Sequence, residues 1–251
     1  MVRIIEEMSL NALPALETMI YDGWVLRFSR GYARRANSIY PLYQSKENIN
    51  EKISKCEELY KSKGLDVIYK ITKAAFPSNL DLLLEEYGYI IDAPTSVQGM
   101  NLDNVEEIKN ESIICSSTIN DEWFHSFCRM DNVSGEKRDV LYNTLENIIP
   151  KKFFVSLQRD EKIIGCGLGV LENDFIGLYN IVIDKEYRNK GYGREIVLSL
   201  LKLGKENGAK KAYLQVMENN PPALKLYSNV GFKEEYKYWY RVKKRVDLLK
   251  G

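Results

Sequence analysis

Apolar positions recur at three- and four-residue spacing in two stretches that each run up to a glycine: Ile49, Ile53, Cys56 and Tyr60 before Gly64, and Ile196, Leu200 and Leu203 before Gly208. That period marks an amphipathic helix, and glycine is the residue that most often ends one. In both places a strand-like run follows, then a helix opened by a proline, Pro77 in the first case and Pro221 in the second. At an offset of 144 residues, Gly64, Tyr69, Pro77 and Leu80 fall on Gly208, Tyr213, Pro221 and Leu224 without a gap. One residue of slippage then brings Gly88-Tyr89 onto Gly231-Phe232. An internal repeat of this kind predicts two domains of one fold. Chance likeness between two helix-Gly-strand-helix units, which are common in α/β proteins, is the competing reading.

The polar, aperiodic stretch from Asp103 to Ser112 reads as a linker, which divides the chain into 1–105 and 106–251. The first part is expected to open with a helix around Ala12 to Ile20. Strands Trp24 to Ser29 and Asn37 to Tyr43 follow, joined by a loop carrying Arg30, Gly31, Arg34 and Arg35. The second part opens with helices around Asp121 to Met130 and Glu136 to Ile148. Lys152 to Gln158, Lys162 to Leu171 and Phe175 to Ile183 then read as strands, with turns at Arg159-Asp160-Glu161 and Glu172-Asn173-Asp174. A last strand, Glu235 to Val242, sets Tyr236, Tyr238 and Tyr240 on one face and Lys237, Trp239 and Arg241 on the other. The fold class is α/β (α+β).

Composition narrows the chemistry. With 36 Lys+Arg against 35 Asp+Glu the 251 residues carry a net charge of +1. No basic field gathers phosphates by counterion release, so a nucleic-acid binder is not expected. Glu6 and Glu7 interrupt the region where a signal peptide would be apolar, and no long uncharged apolar run follows, so a cytoplasmic protein with no membrane partner is expected. Cys56, Cys115, Cys128 and Cys166 are far apart without a Cys-x-x-Cys pair, which predicts free thiols. His125 is the only histidine, which excludes histidine-cluster metal sites. No metal is expected.

The candidate chemistry lies after the strand Phe175 to Ile183. The segment Asp184-Lys185-Glu186-Tyr187-Arg188-Asn189-Lys190-Gly191-Tyr192-Gly193-Arg194 leads directly into an amphipathic helix. A glycine-rich loop opening a helix offers unpaired backbone N–H groups and the positive end of the helix dipole, which suit a phosphate or pyrophosphate. Glycine at 191 and 193 lets the amides come close to the anion, and Arg188, Lys190 and Arg194 add charge. The spacing fits neither a P-loop nor the three-glycine dinucleotide fingerprint.

These residues resemble the acyl-CoA signature of the GCN5-related N-acetyltransferase (GNAT) superfamily. Arg188, Gly191 and Gly193 match its Arg/Gln-x-x-Gly-x-Gly/Ala loop. Asn220, Ala223, Leu226, Tyr227, Gly231 and Phe232 match its second element, Asn-x-x-Ala-x-x-Leu-Tyr followed by Gly-Phe. The resemblance covers about Lys151 to Lys243. Over the whole chain the sequence is similar to a bacterial group of tandem GNAT proteins, on Asp22-Gly23-Trp24 and Arg35-Ala36-Asn37-Ser38. It implies two GNAT-like domains, each a mixed, mostly antiparallel sheet flanked by helices: a degenerate 1–105 without a CoA site and a catalytic 106–251. It further implies acetyl-CoA as cosubstrate, its pyrophosphate on the amides from Asn189 through Lys190, Gly191, Tyr192 and Gly193 to Arg194, beside Arg188. The pantetheine arm would run along Ile181, Val182 and Ile183, with Asn220 and Tyr227 completing the cofactor site.

The resemblance places Tyr227 near the CoA sulfur as general acid toward the departing thiolate, with core packing as its ordinary alternative. A backbone N–H near Val182 would stabilise the oxyanion. Asn220 is equally an N-cap before Pro221. The strand carboxylate that some GNAT enzymes use as base falls on Gly177, which cannot serve. Glu172, in the neighbouring turn, is the candidate base, with ordered water or Tyr179 as alternatives. A covalent route through Cys166 lacks a flanking histidine. Trp123, His125 and the Tyr236–Tyr240 face read either as acceptor-side groups or as packing. The expected function is transfer of an acetyl group to an unidentified amine acceptor by a monomer or homodimer; the alternative is a CoA-binding regulatory module without turnover.

Overall fold

The computed structural model describes residues 1–103, 105–106 and 112–245. Its contacts form two compact units: Met1–Glu6, Ala15–Thr95 and Tyr236–Gly251 in the first, Glu7–Pro14 and Ser96–Glu235 in the second. Residues 7–14 thus group with the second unit, and the far half of the last strand, which pairs with residues 67–72, groups with the first. The expected linker from Asp103 to Ser112 lies largely outside the described residues.

The chain opens on a helix, α1 (Val2–Ala12), where Val2, Ile5, Met8 and Ala12 are buried. In the first unit, strands β1 (Glu17–Tyr21) and β2 (Trp24–Phe28) form an antiparallel hairpin across Asp22 and Gly23, at φ 40° and 83°. Left-handed backbone at both turn residues is the two-residue hairpin geometry that Asp-Gly favours. The helix expected around Ala12 to Ile20 is thereby corrected: the helix ends at Ala12, before Pro14, and 17–21 is strand. Of the strand expected over Asn37 to Tyr43, only β3 (Ile39–Tyr40) forms. Then come α2 (Ile49–Ser62), β4 (Val67–Thr72), α3 (Leu80–Glu86) and β5 (Ile90–Asn101), whose residues to Thr95 belong to this unit. Strands β3 and β4 run parallel, Ile39 opposite Tyr69. The far half of the last strand, β11 (Lys233–Lys243), lies antiparallel to β4, Tyr238 opposite Thr72 through Lys243 opposite Val67. Trp24, Ile53, Cys56, Tyr60, Tyr69 and Tyr89 are in its core.

The second unit carries β6 (Ile113–Ser116), α4 (Asp121–Asp131), α5 (Glu136–Glu146), β7 (Lys151–Arg159), β8 (Lys162–Glu172) and β9 (Phe175–Ile183). After these come α6 (Tyr192–Glu206), β10 (Lys211–Met217) and α7 (Pro221–Val230). Its strand order is β5-β10-β9-β8-β7-β6. The antiparallel run β7-β8-β9 and both its turns follow the alternation in the sequence, whereas β9 and β10 are parallel. Helix α6 lies close on β8 because a Cβ at Gly165 or Gly167 would stand 2.7 or 2.6 Å from Ile196, and one at Gly169 3.1 Å from Leu200. On the opposite face, the buried Trp123 of α4 donates from Nε1 to the Val155 carbonyl at 3.0 Å. In each unit, then, a parallel strand pair frames a helix opened by a loop.

Candidate active site

Strands β9 and β10 pair only from Lys211 opposite Phe175 to Leu214 opposite Leu178. Beyond that point β9 continues to Ile183, still paired with β8, and β10 to Met217, without pairing to each other. The break coincides with a bulge in β9: two residues, Asn180 and Ile181, oppose one residue of β8, and Asn180 sits at φ 50°. A bulge bends its strand and sharpens the twist, here carrying the end of β9 away from β10. Asp184 N–H donates to the Ile164 carbonyl at 2.8 Å. By the alternation of an antiparallel ladder, Val182 then exchanges its backbone bonds with β8, and the peptide groups of Ile183 face the open side. Arg188 Nε bonds the Ile183 carbonyl at 3.1 Å, in agreement. The open-side donor is therefore Ile183, not Val182 itself.

The loop leaving β9 is anchored at its first residue. Asp184 is an N-cap, accepting from Glu186 N–H, and its carboxylate meets Arg129 Nη1 at 2.5 Å and Lys162 Nζ at 3.4 Å. The Arg129 guanidinium, foremost, holds that carboxyl below the usual range. Arg188, Asn189, Lys190 and Gly191 are exposed. Gly191, at φ 88°, is the N-cap of α6, and no side chain caps that helix. A Cβ at Gly191 would meet nothing within 4 Å. The helix thus presents its first amides to open space, a seat whose dipole contributes about 0.3–1 kcal/mol toward an anion. Lys190 Nζ lies 5.2 Å from the Tyr187 ring, whereas Arg194 is ion-paired with Glu106. Of the three expected cations, Arg188 and Lys190 stand at the exposed rim.

Helix α7 follows β10 at the same end of the parallel pair, where ligands of parallel sheets collect. Asn220 is its N-cap, the side chain accepting from Ala223 N–H at 3.3 Å, with Pro221 as first helical residue. Leu226 is the nearest neighbour of Gly193: a Cβ there would stand 3.2 Å from Leu226 Cδ2. That contact packs α7 against the first turn of α6. The Tyr227 ring packs against Phe232, centroids 6.0 Å apart, and its hydroxyl makes no hydrogen bond among the described residues. Burial pushes its phenol up to about 12. Ile181, Ile183, Tyr192 and Tyr227 all border the core beneath the loop.

Glu172 is not brought to this end. It pairs with Phe175 at the far tip of the β8–β9 hairpin, where Oε1 accepts from Asn11 Nδ2 at 2.8 Å. Seven residues of β9 separate Phe175 from Val182, about 23 Å of strand, so Glu172 cannot reach an amine at the open end. At Gly177 a Cβ would stand 2.7 Å from Tyr213 Oη, and the space is used by a buried pair, Tyr179 Oη and Tyr213 Oη, 2.6 Å apart. Tyr179, an alternative proton partner in the sequence, is thus tied to Tyr213, a residue that the repeat aligns with Tyr69 but that carries no site role in the sequence. Cys166 is buried, and burial pushes its thiol well up, which suits packing rather than attack. Trp123 is core, His125 is exposed, and Tyr236, Tyr238 and Tyr240 are buried in the first unit. No cluster of three or more His, Cys, Asp or Glu could hold a metal among the described residues, and no described helix is long and apolar enough to cross a membrane.

Residues 1–241 match the family described as "Probable histone acetyltransferase Rv0428c C-terminal", and the chain belongs to that family. It is 27% identical over 260 aligned residues to the uncharacterized N-acetyltransferase YobR of Bacillus subtilis, covering 97% of this chain and 99% of that one. A shorter match, 33% over 78 residues, is to the ribosomal protein bS18-alanine N-acetyltransferase of Escherichia coli K12, covering 31% of this chain and 53% of that protein. Among solved structures, a GCN5-related N-acetyltransferase from Kribbella flavida superposes with a TM-score of 0.69 at 11% identity, over 96% of this chain and 95% of that one. A tandem GNAT protein from the clavulanic acid biosynthesis pathway superposes with a TM-score of 0.61 at 11% identity, over 96% and 87%. The fold is that of the GNAT proteins, and the chain is a GNAT-type N-acetyltransferase.

Proposed function

We propose that this N-acetyltransferase works from its second unit, moving an acetyl group from acetyl-CoA to an acceptor amine by direct attack. The observation that supports this most is the coincidence at one end of the sheet of an unpaired strand edge and an uncapped, glycine-started helix. The edge from Ile181 to Ile183 would hydrogen-bond the amides of the pantetheine arm, as an added strand does. The amides from Asn189 to Gly193, with Arg188 and Lys190, would seat the pyrophosphate, while the Arg194 N–H donates to the Gly191 carbonyl at 2.9 Å. The open cradle at Gly191 fits that group, since a side chain there would stand in it. Acetyl-CoA supplies an activated thioester.

The chain's own residues then have limited, separate tasks. A backbone N–H of the open β9 edge near Val182 donates to the carbonyl oxygen as negative charge develops there. Tyr227 Oη gives its proton to the sulfur as the C–S bond breaks and the C–N bond forms. The proton lost by the amine leaves to solvent, which restores the phenol. No carboxylate of the open end is given the role of base, because Glu172 lies at the other end of β9.

Calorimetry with CoA and the full chain tests the site. One molecule should bind per chain, and Gly191→Val should abolish binding while the variant stays folded by circular dichroism. Undiminished affinity in a folded Gly191→Val protein would overturn the assignment of the loop.

A further inference from the structure

The first unit repeats the element that forms the seat in the second. Strands β3 and β4 are parallel neighbours, as β9 and β10 are, and the loop 41–48 leads from β3 into α2 as 184–191 leads from β9 into α6. In the first unit, however, the donors of that loop are already engaged by one carboxylate. Lys46 N–H lies 3.1 and 3.0 Å from the two Asp22 oxygens, and Glu47 N–H lies 3.0 Å from Oδ2. Ser45 Oγ donates to Oδ2 at 2.5 Å. Lys52 Nζ, on a side chain 0% exposed, reaches Oδ2 at 3.1 Å and Ser45 Oγ at 2.8 Å, and lies 4.1 Å from the Trp24 ring centroid. The following amides, Asn50 and Glu51, are taken by the Asn48 cap at 3.0 and 3.4 Å.

Two backbone amides, a hydroxyl and a buried ammonium converging on one point form the donor set that recognises a phosphate. Asp22 arrives there on the tip of the β1–β2 hairpin. A Cβ on the next residue, Gly23, would stand 2.3 Å from the Gln44 carbonyl oxygen, so only glycine lets the tip come this close. Glu47, which aligns with Gly191 at the repeat offset, sends its carboxylate elsewhere, to the Tyr21 hydroxyl.

We propose that the loop before α2 is an anion seat whose anion is built into the chain: the Asp22 carboxylate stands in the place of a phosphate group and closes the first unit to acyl-CoA. The comparison with a phosphate seat rests on the function proposed for the second unit, but the donors and their carboxylate are a property of the first unit alone. Removing the carboxylate takes the ion-pair partner from the buried Lys52 ammonium, which keeps the residue-22 backbone carbonyl and Ser45 Oγ as acceptors, and leaves the cradle open. The ligand such a cradle takes is a phosphate-type anion.

The full chain, labelled with ¹⁵N, tests this with inorganic phosphate at the Lys46 and Glu47 amide resonances. In the native sequence these signals should not respond saturably. Asp22→Gly keeps a residue suited to φ 40° and removes the carboxylate. There phosphate should shift both signals saturably, with at least tenfold tighter apparent binding than in the native chain. A dispersed spectrum in which neither signal responds, or equal response in both proteins, would overturn the proposal. A measurement on the native chain guards against loss of fold in the variant. Held by Ser45, Glu47 and Lys46, the Asp22 carboxyl should stay ionised well below the ordinary carboxylate range, and a carbon-detected titration with an ordinary midpoint near 3.9 would equally reject the proposal. Both readouts lie in the first unit, so unchanged CoA affinity of Gly191→Val would sink the second-unit seat without touching this one.

Discussion

Replacing Tyr227 by Phe removes one oxygen and leaves the packing in place. The ring against Phe232 is retained, and the lost hydroxyl has no hydrogen-bond partner among the described residues, so stability should change by no more than about 0.5 kcal/mol. Burial pushes the phenol up to about 12, from an ordinary 10.0. At about 1.4 kcal/mol per pH unit, roughly 3 kcal/mol opposes forming the phenolate in the resting site. Two consequences follow. The hydroxyl stays protonated at every working pH, as the proposed role of proton donor to the thiolate requires, and its burial disfavours the phenolate that role would leave. The rate of acetyl transfer should fall by about 10²–10⁴-fold, while CoA affinity measured by calorimetry stays within about threefold, the pattern of a group used only in the transition state. Because the phenol does not ionise below about pH 11, the loss should be the same factor from about pH 6 to pH 9.5. Full activity with a good acceptor would make Tyr227 a packing residue. A native alkaline limb near pH 10 that disappears in the variant would refute the argument from burial.

Gly191→Val should lower stability by about 1–2 kcal/mol in a urea melt, since a non-glycine residue is strained at φ 88°; an unchanged melt would mean the loop relaxes out of this conformation. In the first unit, Glu6 and Lys70 are 0% and 1% exposed and meet at 2.6 Å, with Tyr236 Oη donating to the other Glu6 oxygen at 2.7 Å. Lys70→Met should cost about 3–5 kcal/mol by leaving the carboxylate buried without its cation, and Glu6→Leu with Lys70→Met should recover most of it; additive losses in the double-mutant cycle would count against a coupled pair. Asp81 is held below the usual carboxylate range by Arg241, and Asp184 by Arg129. A lowered folded-state value contributes stability that is present above the unfolded value near 3.9 and is lost as pH falls through the folded one. Thermal stability should therefore hold down to about pH 4 and fall below it, with Asp184→Asn flattening that acid slope; an unchanged slope in the variant would exclude Asp184 as a contributor.

Local chemistry was enough to place much of the second unit. The strand Phe175 to Ile183 is read with its observed ends, the helices read around Asp121 to Met130 and Glu136 to Ile148 form as Asp121–Asp131 and Glu136–Glu146, the turns fall at 159–161 and 172–174, and Asn220 and Pro221 mark the start of α7. Each depends on contacts within a few residues, which the order of side chains fixes directly. The loop from Asp184 to Arg194 was legible for the same reason: its glycines and its position between a strand and a helix are local facts. The Asp-Gly pair at 22–23 carried a hairpin signal as strong, yet the apolar run before it was read as a helix, because a short amphipathic stretch fits either period.

What only the tertiary structure decided involves distance along the chain. Glu172 and Val182 are ten residues apart in sequence, but Glu172 ends β8 at the hairpin tip and Val182 lies near the far end of β9, so proximity in sequence became separation in space. Tyr238 to Lys243 pair with a strand more than 160 residues earlier, and no pattern within β11 names its neighbour. The bulge at Asn180 lies just past the last pair between β9 and β10, a coincidence of two ladders that the sequence of β9 alone does not announce. Asp22 shows the limit most clearly. In sequence it is a good turn residue. Only the fold, by laying a hairpin tip across a loop some 25 residues away, brings its charge onto the amides before α2 and converts a turn residue into the anion of its own binding seat.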